Sequence, residues 1–140
     1  MSAAIASKRV GAIEIDTSQY PLVVQRWHSD PTANELDQYF VYADQLADHA
    51  IATQSYYAVV VTGSLNLSAT GRKYLGAWID KVPKARRERA LGSYVVISSA
   101  AIRGMLTAMR WLSHNLDDVY PVASEAEALQ LAHKRIAGGK

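Results

Sequence analysis

Residues 56–61 read Tyr-Tyr-Ala-Val-Val-Val, a nearly unbroken apolar run. A strand of this composition has no polar side to turn toward water, so both faces of its sheet must be covered. Residues 94–97, Tyr-Val-Val-Ile, form a second run of the same kind. The chain is therefore predicted to fold as a layered α/β domain in which helices pack against a central sheet.

Helix signals lie between the predicted strands. Thr32 and Glu35 form a capping box, in which the hydroxyl and the carboxylate bind each other's backbone amides at a helix start. The apolar residues of 36–50 then recur every three or four positions, which is typical of an amphipathic helix. Three more helices are predicted: one from about residue 68 to Pro83, one after Ser98 and Ser99, and one after a second capping box at Ser124 and Glu127.

The remaining strands are short. Residues 11–16 alternate apolar and polar side chains, and residues 22–28 form a strand close enough to pair with them as a hairpin. Leu91-Gly92 is predicted to be a break, and residues 119–122 a last strand. We expect a mixed, mostly parallel sheet of about five strands with four helices, in the order ββαβαβαβα. A single domain spans residues 1–140, with flexible ends at 1–10 and 138–140.

The composition indicates the cellular compartment in which the chain works and excludes several kinds of site. It has no cysteine, which excludes disulfides, thiolate metal sites and cysteine nucleophiles and favours a reducing compartment. The N-terminus lacks the pattern of a signal peptide, and no apolar run approaches the roughly 18 residues that cross a bilayer. We therefore expect a soluble, cytoplasmic protein. The net charge of +2 is too small to indicate nucleic-acid binding.

No catalytic or metal-binding motif is present in the sequence. The four histidines lie on four different predicted elements, without the spacing of metal ligands: His28, His49, His114 and His133. Asp44 and Asp48 share a helix face, which we interpret as a solvated one. We expect no enzymatic activity, no cofactor and no metal. A serine hydrolase built around Ser64 is a remote alternative, since triads are assembled in space rather than in sequence.

Several short motifs, in their order and spacing, resemble those of a known family. They are Pro21-Leu-Val-Val, Glu35-Leu36 with Tyr39-Phe40, Val59-Val-Val-Thr62, Arg72 with Trp78, Leu91-Gly92 before Tyr94-Val-Val-Ile-Ser98, Ile102-Arg103-Gly104 with Trp111-Leu112, and Val122-Ala-Ser-Glu-Ala-Glu-Ala128. Together they span most of the chain. They resemble the STAS domain, the sulfate-transporter and anti-sigma-factor-antagonist fold, and most closely its bacterial branch related to CRAL-TRIO lipid-transfer domains.

The resemblance implies a non-enzymatic regulatory or scaffolding module that docks another protein, with self-association as a homodimer a further form of docking. Phospho-switched members carry Asp-Ser-(Ser or Ala)-Gly at a helix start. Here the matching stretch is Ser68-Ala69-Thr70-Gly71, with alanine at the phosphoacceptor position. The candidate partner or anion surface lies where loops leave the carboxyl ends of parallel strands. It comprises Thr62, Ser64, Ser68, Thr70, Arg72, Arg103 and Thr107.

Three alternatives remain open. The lipid-transfer relatives enclose an apolar ligand, so Trp78, Met105, Met109 and Trp111 could line the pocket of a carrier, although they also suit core packing. Lys81, Lys84, Arg86, Arg87 and Arg89 form a basic patch that could hold an acidic membrane weakly, or be a solvated helix end. Arg103 could bind an anion near a helix start, or tie that helix to a loop.

Overall fold

The computed structural model describes residues 5–29, 31–63, 73–74, 77–78, 80–97, 99–100, 103–104 and 119–138. Its strands are β1 (Lys8–Val10), β2 (Ile13–Asp16), β3 (Leu22–Trp27), β4 (Tyr57–Gly63), β5 (Ala90–Val96) and β6 (Val119–Val122). Its helices are α1 (Ala33–Ala52), α2 (Lys84–Arg87) and α3 (Glu125–Gly138). Within these described ranges, no helix is both long and apolar enough to cross a membrane.

The strands form one mixed sheet in the order β1-β2-β3-β4-β5-β6. β1, β2 and β3 pair in antiparallel fashion, which confirms the hairpin predicted for residues 11–28. β3, β4, β5 and β6 pair in parallel, as expected of strands whose connections cross over the sheet. The α/β class and the mixed sheet predicted from the sequence are thus confirmed.

Helices cover the sheet on both faces. On one face, Leu36 and Phe40 of α1 are buried in a cluster with Val59 of β4. On the other face, Ala132 of α3 is buried in a second cluster with Val60. Successive side chains of a strand point to opposite faces, so β4 contributes to both clusters. Its apolar run is therefore buried on both sides, as its composition predicts. We call these two sides of the sheet the α1 face and the α3 face.

Among the described residues, the sheet has one strand more than the five expected. Lys8–Val10 form β1, although we predicted a flexible end there. The two-residue turn Gly11-Ala12 folds them back onto β2, with Val10 paired to Ile13. Gly11 has a φ of 53°, a left-handed conformation that glycine adopts at little cost, and a glycine in the first central position is typical of type II′ hairpin turns.

The break predicted at Leu91-Gly92 was wrong, because both residues lie inside β5. The pairing of β5 with β4 shifts there: Tyr57 pairs with Ala90, and Ala58 pairs with Gly92. Leu91 is therefore the extra residue of a β-bulge. The Leu-Gly pair marks an irregularity within the strand rather than its beginning.

The signals predicted for helix starts and ends are present where the chain is described. Residues 73–74, 77–78 and 80–81 are helical before Pro83, and residues 100 and 103–104 are helical after Ser99. The Ser124 hydroxyl accepts a hydrogen bond from the Glu127 amide at 3.2 Å. The Glu127 carboxylate instead contacts the amide of Ala123, at 3.4 Å, so only one half of the second capping box forms as predicted.

Glu35 links the start of α1 to the β1–β2 turn. One carboxylate oxygen accepts the Thr32 amide at 2.9 Å, and the Thr32 hydroxyl accepts the Glu35 amide, which completes the predicted capping box. The other oxygen accepts the amide of Ala12 at 2.9 Å. Both bonds favour the ionised form, with the bond from Thr32 the stronger influence, so the pKa of Glu35 lies below its usual value.

We predict that Glu35→Gln destabilises the protein at pH 7 and that this difference shrinks as the pH falls toward 3. The glutamine side chain has one amide oxygen, which can replace only one of the two carboxylate oxygens that accept hydrogen bonds. The wild type keeps the stabilisation from its charged carboxylate until the pH falls through the lowered pKa of Glu35. The free energy of unfolding in urea, measured at both pH values, checks this.

Two further variants set the scale for that measurement. Thr32→Ala removes the other half of the capping box and should cost about 1 kcal/mol at either pH. Glu127→Gln changes the exposed carboxylate of the half-formed second box and should have a smaller effect than Glu35→Gln. If Glu35→Gln lowers the free energy of unfolding equally at pH 7 and at pH 3, the role assigned to the charge of Glu35 is contradicted.

Candidate functional site

The parallel strands bring their carboxyl ends to one edge of the sheet. Trp27 at the end of β3 pairs with Gly63 at the end of β4, and Val96 of β5 pairs with Val122 of β6. The polypeptide enters α1 and α3 from this edge, directly after β3 and β6. The segments that follow β4 and β5 leave the sheet there too, and they contain the predicted partner surface. We call this edge the carboxyl edge, and the opposite one the amino edge.

Of the seven residues predicted for the partner or anion surface, two are described. Thr62 pairs with Arg26 across β3 and β4, so its side chain lies on the α3 face. The residue is only 7% exposed. Ser64, Ser68, Thr70, Arg72 and Thr107 lie outside the described residues.

Arg103 binds the end of β5. Its Nη1 donates to the carbonyl oxygen of Ile97 at 2.7 Å, and its backbone amide donates to the carbonyl of Ser99. This contact ties the helix to the preceding segment, which is the second of the two interpretations given above for Arg103. The hydrogen bond to Ile97 uses one of the several donors of the guanidinium and orients Arg103 at the carboxyl edge.

An ion pair missed by the sequence analysis lies at the same edge. Nη1 of Arg26, near the end of β3, is 3.0 Å from Oε1 of Glu125 in the first turn of α3. A carboxylate in the first turn of a helix is favoured by the helix dipole. Both side chains remain exposed, 47% for Arg26 and 39% for Glu125. The alternation of β3 indicates that Arg26 faces away from Val23 and Gln25, but no local signal could identify its partner.

The basic patch divides into residues that pack on the fold and residues that face solvent. Arg86 donates from Nε and Nη2 to the two carboxylate oxygens of Asp48, at 2.9 and 3.0 Å, and its Nη1 is 3.3 Å from Asp44. The bond with Asp48, followed by the charge of Asp44, raises the pKa of Arg86. Both carboxylates stay partly exposed, 34% for Asp44 and 53% for Asp48, so the pair lies on a solvated helix face and also links α2 to α1.

The other arginines and lysines of the patch differ in the same way. Arg89 lies over the ring of Tyr56, 4.8 Å from its centroid, and donates to the carbonyl of Ser55. Lys84 is exposed, and its ion-pair partner among the described residues is Glu88, at 3.6 Å, a distance typical of a weak surface pair. Lys81 and Arg87 are also exposed. Arg86 and Arg89 thus bind the fold itself, whereas Lys81, Lys84 and Arg87 are exposed.

Trp78 packs against the core. Its ring stacks on that of Phe40, with centroids 5.1 Å apart and planes 5° from parallel. Met105, Met109 and Trp111, the other predicted pocket residues, lie outside the described residues. Two surface depressions are lined by described residues, with volumes of about 300 and 390 Å³, and both are open to solvent.

The described histidines and acidic residues do not assemble into a metal site. His28 contacts Glu14 at 3.3 Å, and His49 packs edge-on against Tyr20. His133 is exposed on α3, and His114 lies outside the described residues. Within the described ranges, no three histidine or acidic side chains are grouped so that they could hold a metal ion.

A buried polar cluster under α1 was also missed by the sequence analysis. The Tyr39 hydroxyl donates to the side-chain oxygen of Gln25 at 2.8 Å, and the Trp27 indole donates to the same oxygen at 3.4 Å. Burial raises the pKa of Tyr39 to about 12, so its hydroxyl keeps its proton at neutral pH and serves as a donor. The cluster has the geometry of a satisfied core contact, since Gln25, Trp27 and Tyr39 are each no more than 9% exposed.

We predict that Arg86→Gln lowers the urea midpoint of unfolding more than Lys84→Gln does. Arg86 makes a two-pronged ion pair between helices, whereas Lys84 makes one long contact within a single turn. Each change removes one positive charge from the same segment, so the two variants are matched. Salt at 1 M should reduce the difference between them, and equal midpoints would contradict an anchoring role for Arg86.

No family model, no curated protein and no solved structure matches the chain, so a proposal for its function depends on the residues and the geometry described above.

Proposed function

We propose that this chain is a STAS-like module that regulates or scaffolds by docking another protein at the carboxyl edge, without catalysing a reaction. The observation that carries the proposal is the parallel register of β3, β4, β5 and β6, which brings four carboxyl ends to one edge. In open α/β sheets this edge is where ligands and partners bind, since loops meet helix N-termini there.

Charged side chains support docking at this edge. Arg26 and Glu125 are paired but remain exposed, and an exposed pair contributes little to stability. Both can therefore re-pair with charges of a partner at small cost to the fold. Arg103 is held at the end of β5, and residues 64–72 follow β4 directly in the sequence. We define the docking surface as Arg26, residues 64–72, Arg103 and Glu125.

The finer order ββαβαβαβα belongs to the proposal. It requires a helix between β4 and β5 and another between β5 and β6. Helical residues at 73–74, 77–78 and 80–81 support the first, and those at 100 and 103–104 support the second. β1 adds a strand beside β2, at the side of the sheet opposite to β6, and leaves the four parallel strands unchanged.

Docking accounts for the geometry better than the carriage of an apolar ligand does. A carrier needs an enclosed cavity, and of the residues predicted to line one, Trp78 already stacks on Phe40. The described clusters on the two faces consist of side chains packed on each other. A second copy of the chain is one form that the docking partner can take.

The proposal is tested by cross-linking in the cell that makes the protein, with lysine-reactive reagents and identification by mass spectrometry. Lys73 lies in the segment that leaves β4, whereas Lys84 and Lys134 lie toward the amino edge, before β5 and near the end of α3. We predict that a specific partner cross-links through Lys73 and not through the other two. This cross-link should be lost in the Arg72→Glu variant and in the Arg26→Glu variant.

Lys84→Glu is the matched control, because it replaces a cation by a carboxylate, as Arg72→Glu and Arg26→Glu do, but at the amino edge. It should leave the recovered partner unchanged. Each variant is first checked by circular dichroism and urea unfolding to show that the fold is retained. Cross-links that centre on Lys84 or Lys134, or recovery that is equal in all variants, would contradict docking at the carboxyl edge.

A further inference from the structure

A depression at the amino edge, on the α3 face, combines two cations with an aromatic side chain. It has a volume of about 390 Å³ and is lined by Tyr94, Leu131, Lys134, Arg135 and Gly138. We call it the amino-end depression. It lies at the opposite edge of the sheet from the docking surface, since Arg135 reaches the beginning of β5 while Glu125 reaches the end of β3.

The bulge at Leu91 orients Arg135. In a bulge the extra residue is left out of the regular pairing of the two strands. Nε of Arg135 donates to the carbonyl oxygen of Leu91 at 3.2 Å, across 44 positions of sequence. This bond holds Arg135 against the beginning of β5 through Nε, and a guanidinium has further donors besides Nε.

The positive charge in the amino-end depression has no counter-charge among the described residues. Neither Lys134 nor Arg135 forms an ion pair with a carboxylate in the part of the chain that the structure describes. Both side chains belong to exposed positions of α3. By contrast, Arg86 and Arg26, on other surfaces, each contact a carboxylate at 3.0 Å or less. Two adjacent cations without a carboxylate partner among the described residues favour the approach of an anion.

Tyr94 lines the depression and is part of an aromatic stack with Tyr120, which does not itself line it. The rings of Tyr94 and Tyr120 stack with centroids 5.3 Å apart and planes 20° from parallel. Gly92 makes room for them, because a Cβ at this position would lie 3.2 Å from the Tyr94 hydroxyl oxygen and 3.3 Å from the Tyr120 ring. Leu131 adds an aliphatic wall. An apolar or planar group beside the anion would therefore be received by the ring of Tyr94 and the methyl groups of Leu131.

We propose that the amino-end depression binds a small organic phosphate, with its phosphoryl group between Lys134 and Arg135 and its apolar part against Leu131 and Tyr94. A guanidinium matches phosphate oxygens in a two-pronged geometry, and the ammonium adds a second charge, which suits a dianion. The volume is within the range of small-molecule sites. This binding goes beyond the proposed docking function and does not depend on it.

The test is a titration of the ¹⁵N-labelled full chain with phenyl phosphate, followed by the backbone amide signals. Saturable shifts should be confined to residues 90–94 and 131–138. Lys134→Gln should weaken binding by about tenfold or more, the loss expected for one charge-assisted contact. Lys84→Gln, which makes the same charge change on another surface, should bind as the wild type does.

Arg135→Lys provides a second readout, since it keeps the charge but loses the two-pronged geometry and the bond to Leu91. It should also weaken binding, and Lys134→Gln keeps the test decisive even if this variant disturbs the bulge. Shifts that stay linear, lie elsewhere, or are equal in Lys134→Gln and Lys84→Gln would overturn the proposal. So would inorganic phosphate binding as tightly as phenyl phosphate, or binding only to vesicles that contain phosphatidic acid.

Discussion

β4 lies in the interior of the sheet, and its side chains alternate between the cluster under α1 and the cluster under α3. Its backbone groups are paired by β3 and β5, so neither face nor edge of the strand is left to water. A strand of this apolar composition is stable only with both layers in place. β4 therefore depends on α3 as much as on α1, although the two helices contact opposite faces and belong to separate clusters.

The parallel direction of β3 to β6 gives the two edges of the sheet different chemistry. The carboxyl edge receives the starts of α1 and α3, where Glu35 and Glu125 accept amides or pair with Arg26. The amino edge receives the end of α3, where Arg135 binds a strand carbonyl. Acidic groups favour helix starts and basic groups favour helix ends. A docking surface and a separate anion site can thus coexist on a small domain without overlapping.

Basic residues that are close together in the sequence have different contacts in the structure. Arg86 turns to α1 and Arg89 turns to Tyr56, whereas Lys84 stays in solvent. A run of basic residues therefore overstates the charge available to a membrane or an acidic partner. Lys134 and Arg135, which attract no notice in the sequence, are left without a carboxylate partner among the described residues.

Local patterns determined the elements of this fold. The capping box of Thr32, the alternation of β2 and the apolar run of β4 are each read within a few residues, because periodicity and capping are short-range effects. Only the tertiary structure decided which distant groups meet. The Glu35 carboxylate reaches the amide of Ala12, the Arg86 guanidinium reaches Asp48, and Arg135 reaches the bulge at Leu91. These contacts depend on strand register and helix placement, which are set by the packing of the whole core rather than by the residues at either end of the contact.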